Sequence, residues 1–393
     1  MAGPLKGLKI LDFTTLLPGP FATMMLADMG AEVLRIVSGS RPDMAAFVPP
    51  CLPGTNLSCA TAALGRGKRC MTLNLKDPRV PAIVRRLISD HDVLIEQFRP
   101  GVMAKFGLDY ETLKAANPAL IYCSLSGYGQ TGPLKDRAGH DINYLARSGI
   151  MSYSGGKSSG PQLTGIQIAD IASGSNNAVI GLLAAVIHRQ RTGEGQHVDV
   201  AMTDGVIAFN ALAGAAFLVD GTEARRGEAV LNGGSLYDFY ETKDGAHLSF
   251  GGLEPQFFGA FCKVIGLPDL IAGGVAPPDC DRIKEEVRAI LKTKTQDEWV
   301  ALFSRVDACV EPVLALGEAL GDPQVEARGL VVEVDVPGCG TVRQIGHPIR
   351  YSATPPEYRS AGAPAGTHTR EVMAELGYRA DEIDEFEKTG LFS

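Results

Sequence analysis

The chain has 393 residues, 45% hydrophobic and 21% charged, with a formal net charge of −8. That is long enough for two domains with a sizeable core, and its acidity argues against nucleic acid or an anionic membrane as the main partner. Eight cysteines without a CxxC pair read as reduced thiols in a cytoplasmic protein, not a disulfide frame or zinc site.

The N-terminal MAGPLKGLKILDF has no signal-peptide pattern, no apolar run reaches the length of a membrane span, and TGLFS is not a peroxisomal address. LKILDFT (8–14) is a β-rich run, PFATMMLADMG (20–30) has helical periodicity up to Gly30, and AEVLRI (31–36) is strand-like. GRGKRCMTLNLK (65–76) is a basic stretch. A helix is predicted over 77–90 with Asp77 as N-cap, then strands over 91–98 and 119–129. A long helix covers 172–193 and a strand 196–202. Repeated βα units predict a doubly wound parallel sheet. Residues 205–235, rich in Ala and Gly, read as a connection. Strand 245–253 and helices over 254–266, 281–293 and 295–307 predict a smaller α/β unit. Strands follow over 330–336 and 341–352, and helices over 371–377 and 380–390. The division is therefore 1–204 for the first part of a large domain, 205–235 for a linker, 236–312 for a small α/β domain, and 313–393 for a segment returning to the large one.

The turn after the first strand reads LLPGP, not GxGxxG, so the dinucleotide reading loses its main support. Arg66, Lys68, Arg69, Lys76, Arg99 and Lys105 form a basic set able to meet a polyphosphate; the plain alternative is a solvated loop. His140 stands in GHDINYLARSG, with Asp141 a candidate helix cap. Asp170 lies among Ile, Ala and Gly just before a long apolar helix, where burial raises a carboxyl pKa and a helix N-terminus lowers it. Glu254 opens a helix after a glycine pair. Each of the three has a plain reading as a residue at a helix start, and each is a candidate for acid/base work.

Together these residues sit in blocks that resemble the family III CoA-transferases, specifically their α-methylacyl-CoA racemase branch. The blocks include LKGLKILDFTTLLPGPFATMMLADMGAEVLRI, GRGKRCMTLNLKDP, VLIEQFRPGVMAKFGLDYETL, AGHDINYLARSGI and YETKDGAHLSFGGLEPQFF. The resemblance implies a large Rossmann-like parallel-sheet domain plus a small α/β domain in an interlocked homodimer. It implies that His140 and Asp170 flank the α-carbon of an acyl-CoA thioester, one taking the α-proton and the other returning it to the opposite face. The histidine would serve the S substrate and the aspartate the R substrate, with Glu254 tuning His140 and Asp141 supporting the site. Arg41, Leu73, Lys76, Gln97, Phe98, Arg99, Lys105 and Tyr144 fall where members hold CoA. CoA is part of the substrate, so no separate cofactor is expected, and the implied setting is fatty-acid and lipid metabolism.

One departure is that relatives often carry an arginine just after the VxRI strand, where this chain has Ser38 and then Arg41. The longer 39–59 loop is expected to shape the pocket entrance. Met24, Met25 and Met151 are candidate acyl-chain selectors or plain core. The rival reading is a CoA-transferase, with Asp170 as a nucleophile forming an acyl-enzyme anhydride. Against it, transferases of the family usually lack the GHDINY histidine, and many have a glycine-rich lid where this chain reads GGLEPQF. A non-catalytic CoA-binding protein is the third possibility.

Overall fold

The structure is a computed structural model that describes residues 3–39 and 42–393. Its chain forms two compact units: Met1–Ser148 with Thr164–Phe209 and Gln324–Ser393, and Gly149–Leu163 with Asn210–Pro323. Gly149–Leu163 thus groups with the second unit, and the chain returns to the first at 324.

The first unit is built on six parallel strands: β1 (Lys9–Phe13), β2 (Glu32–Val37), β3 (Lys68–Thr72), β4 (Val93–Glu96), β5 (Ile121–Ser126) and β6 (His197–Ala201). Their order is β3-β2-β1-β4-β5-β6, the doubly wound arrangement, all in parallel register. β1 lies at the centre, and Ile10, Leu11 and Phe13 are buried, as expected of a strand covered on both faces. Helix Val80–Ile88 adds an apolar stripe of Val80, Ile83, Val84, Leu87 and Ile88. Each such side chain contributes roughly 1.5–3 kcal/mol by leaving water. Asp77 is not its N-cap. Its carboxylate instead accepts the Arg79 N–H and guanidinium, one turn earlier. The strand order reverses between β1 and β4, and at such a point the crevice outside the carboxyl ends is where ligands bind in this architecture.

The 324–393 segment completes this unit. β10 (Val331–Val336) and β11 (Gly340–Ile345) form an antiparallel pair. Val372, Met373, Ile383 and Leu391 enter the same core as Leu11, Val84 and Leu94.

Residues Ala169–Ser175 form a π-helical stretch that runs into helix Asn176–Thr192, which stops at Gly193 with a φ of 80°. By length and hydropathy alone this 24-residue helix, Ala169–Thr192, is long and apolar enough to cross a membrane, a test that core helices also pass. Ala178, Val179, Leu182, Ala185 and Val186 are nevertheless buried, and the helix packs on β5, β6 and Pro18–Asp28, as a core helix does.

The second unit carries an antiparallel sheet of β7 (Asp238–Glu241), β8 (His247–Phe250) and β9 (Val310–Pro312). Helices Pro255–Val264, Cys280–Leu291 and Gln296–Phe303 bury Phe258, Phe261, Val287, Trp299 and Phe303 with Phe250. Trp299 meets its polar need by donating Nε1–H to Leu291 O at 2.8 Å. The expected linker is in part a helix, Ala213–Asp220, with no buried residue.

Candidate active site

His140 is the N-cap of helix Asp141–Arg147, so Asp141 is the first helical residue and not the cap. The His140 N–H donates to Asn143 Oδ1 at 3.0 Å, which fixes the chain at the helix entry. The imidazole is left at an exposed position. Asp141 caps a different segment. Its Oδ1 accepts the N–H groups of Ala169 at 2.6 Å and Asp170 at 3.1 Å. Those are orphan donors at the start of the π-helical stretch, and a carboxylate satisfies them well.

This tie carries Asp170 to the His140–Asp141 corner. Asp170 is half-buried. Burial, and next the negative charge of Asp141, push its carboxyl up to about 6, while His140 pulls it down. An acid poised there exchanges protons near neutral pH, as acid/base chemistry requires. Ser175 secures the segment from below, donating to Pro18 O at 2.7 Å and Asp170 O at 3.1 Å. The LLPGP turn is thus wired to the backbone of Asp170.

Tyr144 sits one turn into the same helix, almost fully buried, and donates to Gly139 O at 2.6 Å. Tyr128 meets it edge-on at 5.2 Å between centroids. A Cβ at Gly127 would lie 2.4 Å from the Tyr144 ring, so only glycine lets the loop after β5 pass. Burial, then the charge of Asp170, hold the Tyr144 hydroxyl up at about 12, with Arg99 opposing. It stays protonated and serves as a donor.

The expected CoA residues divide sharply. Lys76, Arg99 and Lys105 are exposed, follow the carboxyl ends of β3 and β4, and have no side-chain ion-pair partner among the described residues. Gln97 lies at the switch point, where its Oε1 accepts the Gly19 N–H at 3.0 Å. Phe98 is partly buried against the core. Leu73 has no exposed side chain and reaches a ligand only through its backbone. Arg41 lies outside the described residues. The rest of the basic set is structural. Arg66 is buried in a two-pronged pair with Asp28 at 2.9 and 2.6 Å. Lys68 is buried with Asp12 and Thr23. Burial lowers Lys68 to about 8. Burial would raise Asp12, but Lys68, Arg35 and two threonine hydroxyls more than offset it and hold it below the usual range. Arg69 is taken by Glu371 and Glu375. GRGKR is therefore not a phosphate cradle but the start of edge strand β3.

Part of the 39–59 loop is now defined. Asp43 accepts N–H groups from Leu16 and Ala45 and pairs with Arg35, fixing Leu16 at a φ of 62° in the first βα turn. Glu254 belongs to the second unit, where it is the exposed N-cap residue of Pro255–Val264. Among the described residues no three His, Cys, Asp or Glu side chains converge to hold a metal. Sequence reasoning passed over Glu96, Ser124 and Asp43. The signal for Glu96 was present, as an acid inside the apolar run VLIEQF.

Residues 5–369 match the profile of CoA-transferase family III. The chain is 36% identical over 385 residues to the human protein named alpha-methylacyl-CoA racemase, covering 96% of this chain and 95% of the relative. It is 37% identical over 387 residues to succinate–glutarate CoA-transferase of Agrobacterium fabrum, covering 95% and 96%. Among solved structures, a CAIB/BAIF family protein from Brucella suis superposes with a TM-score of 0.84 at 30% identity, over 96% of this chain and all of that one. Rv3272 of Mycobacterium tuberculosis gives 0.79 at 27%, over 94% and 98%.

Proposed function

Since this chain belongs to CoA-transferase family III, an enzyme superfamily of racemases and transferases, we propose that it is a 2-methylacyl-CoA racemase. The observation that carries the reading is the corner in which His140 stands beside Asp170 through the Asp141 cap. Inversion at a carbon needs an acid and a base on opposite faces of a planar intermediate. The thioester acidifies the α-proton. In the S-to-R direction His140 takes it, the C–H electron pair moves into an enolate, and Asp170 returns a proton to the opposite face. The reverse direction exchanges the roles. Each positioned group contributes roughly 10²–10⁴-fold. Asp141 orients Asp170 and keeps it basic, and Tyr144 anchors His140 through Gly139. Lys76, Arg99 and Lys105 take the CoA phosphates, with Gln97, Phe98, Tyr144 and the Leu73 backbone along its length.

A second reading is favoured by the equally similar transferase relative. There Asp170 attacks the thioester carbonyl, CoA leaves as thiolate, and an acyl-aspartyl anhydride forms. We further propose that the working form is a homodimer in the cytoplasm. Leu212, Leu218 and Val219 are 76%, 84% and 85% exposed, an apolar strip suited to a second copy. Light scattering should then give about twice the 41.6 kDa chain mass.

The test is incubation with (S)-2-methylacyl-CoA in D₂O, followed by NMR with no acceptor acid present. Exchange of the α-proton with appearance of the R epimer, lost in His140→Ala and in Asp170→Ala, supports the racemase. No exchange, with CoA transfer to added acid and trapping of Asp170 by hydroxylamine, makes it a transferase.

A further inference from the structure

Glu96 ends β4 at the switch point and is 4% exposed. A carboxyl group so placed needs partners. Its Oε2 accepts the Phe98 N–H at 2.7 Å, which folds the chain into a tight turn over Gln97. Ser124, its register neighbour on β5, supports the same carboxylate with its hydroxyl. Ser124 Oγ in turn lies 3.0 Å from His197 Nε2 on edge strand β6. His197 is exposed on its outer side and stacks on Tyr110 with centroids 5.4 Å apart. Three side chains thus cross three adjacent strands, from the buried centre of the sheet to its surface.

Resting on the acyl-CoA reading, we propose that Glu96 is a positioning residue: by holding the Phe98 N–H it sets the Gln97–Arg99 turn for CoA, with Ser124 and His197 as its connection to the surface. The turn reaches both ways. Gln97 ties it to Gly19 of the first βα turn, and Arg99 is near enough to act on Tyr144. The hydrogen-bond chain has two directions. With Glu96 ionised, His197 Nε2–H donates to Ser124, and Ser124 to Glu96. With Glu96 protonated, its O–H donates to Ser124, and Ser124 to a bare Nε2. Passing from the first to the second moves the Nε2–H proton to Ser124 and the serine proton to Glu96, forming the Glu96 O–H, while the exposed His197 takes one proton from solvent at Nδ1 and stays neutral, so the chain gains one proton. The ionisable groups facing Glu96 from β5 and β6 are Tyr122, Cys123, His197 and Asp199. Burial places the Glu96 carboxyl at about 7. A polyanion arriving at Arg99 and Lys105 favours the neutral form, so CoA binding takes up a proton and weakens as pH rises through neutrality.

Calorimetric titration with free CoA at pH 6 and pH 8 tests this. Glu96→Ala, which frees the Phe98 N–H, weakens CoA binding about tenfold at pH 6, the loss of one buried hydrogen bond, and by less at pH 8, where the variant also lacks the Glu96 charge. Glu96→Gln keeps an accepting oxygen, binds as the wild type does at pH 6, and loses the Glu96 part of the pH dependence, leaving that of CoA itself. Ser124→Ala moves the midpoint upward, because the carboxylate loses a donor; with Glu96→Gln it carries the test should Glu96→Ala not fold. Maximal rate at saturating thioester stays within about twofold, since this turn bears no group that moves the α-proton. Wild-type CoA affinity in Glu96→Ala at both pH values, or an unchanged pH dependence in Glu96→Gln, overturns the proposal. A wild-type chain that binds no CoA overturns the acyl-CoA reading itself.

Discussion

The amino and carboxyl ends of the parallel sheet are both charged, but in different ways. At the amino end the charges are zipped together: Lys9 with Asp90, Arg189 with Asp92, and Arg69 with Glu371 and Glu375. At the carboxyl end Lys76, Arg99 and Lys105 have no ion-pair partner among the described residues, and Asp170 faces another carboxylate, Asp141. Folding neutralised one end and left the other incomplete. Incompleteness costs stability, and a protein keeps it where a ligand or a proton completes the set.

That contrast can be broken at several places. The largest effect is expected from Asp170→Asn, which should lower α-proton exchange by roughly 10²–10⁴-fold. It should also raise the melting temperature near pH 7, because the ionised form is the strained one. The sign follows from the shift. The folded carboxyl, at about 6, lies above its ordinary 3.8, so its contribution is full below the ordinary value and lost as pH rises through 6. In the wild type, kcat/KM for the direction in which Asp170 is the base should therefore fall below about pH 6.

Arg66→Ala, in the sealed interior, should cost about 3–5 kcal/mol in denaturant unfolding, since Asp28 would be left charged and buried. A near-silent result would mean that His347, 3.9 Å from Asp28, takes over. At the open end, Arg99→Ala with Lys105→Ala should raise KM for the thioester about tenfold with little change in kcat, and the loss should shrink in high salt. At the zipped end, Arg69→Ala should shift stability by less than about 1 kcal/mol and leave KM unchanged, because exposed pairs are worth little. Equal effects of the last two on KM would erase the distinction between the ends.

Much of the fold is legible in the sequence, because a parallel sheet writes apolar runs between helical periodicities. The segments read over 8–14, 31–36, 91–98, 119–129 and 196–202 are all strands. β3 escaped because Lys68 and Arg69 make KRCMT look like a surface loop, and only the tertiary partners Asp12, Glu371 and Glu375 explain those charges. The same blindness left Arg66 in a basic set read as able to meet a polyphosphate or as a solvated loop, when it is a buried partner of Asp28. For the site, His140 and Asp170 were identifiable as candidates, but the Asp141 cap that brings their segments together was not. Asp141 caps a segment 28 residues away, a relation that no local helix rule contains.

The return of the chain bears on the order in which the protein is made. Val372, Met373, Ile383 and Leu391 belong to the same core as Leu11 on the first strand, more than 350 residues earlier. During synthesis β1 is among the first elements to emerge, while the helices that finish its core are among the last. The intervening unit, 210–323, can collapse around Phe250, Phe261 and Trp299 without them. The nascent chain therefore carries an open apolar face for most of its translation, and premature termination soon after that unit leaves a sheet with all six strands but an uncovered core.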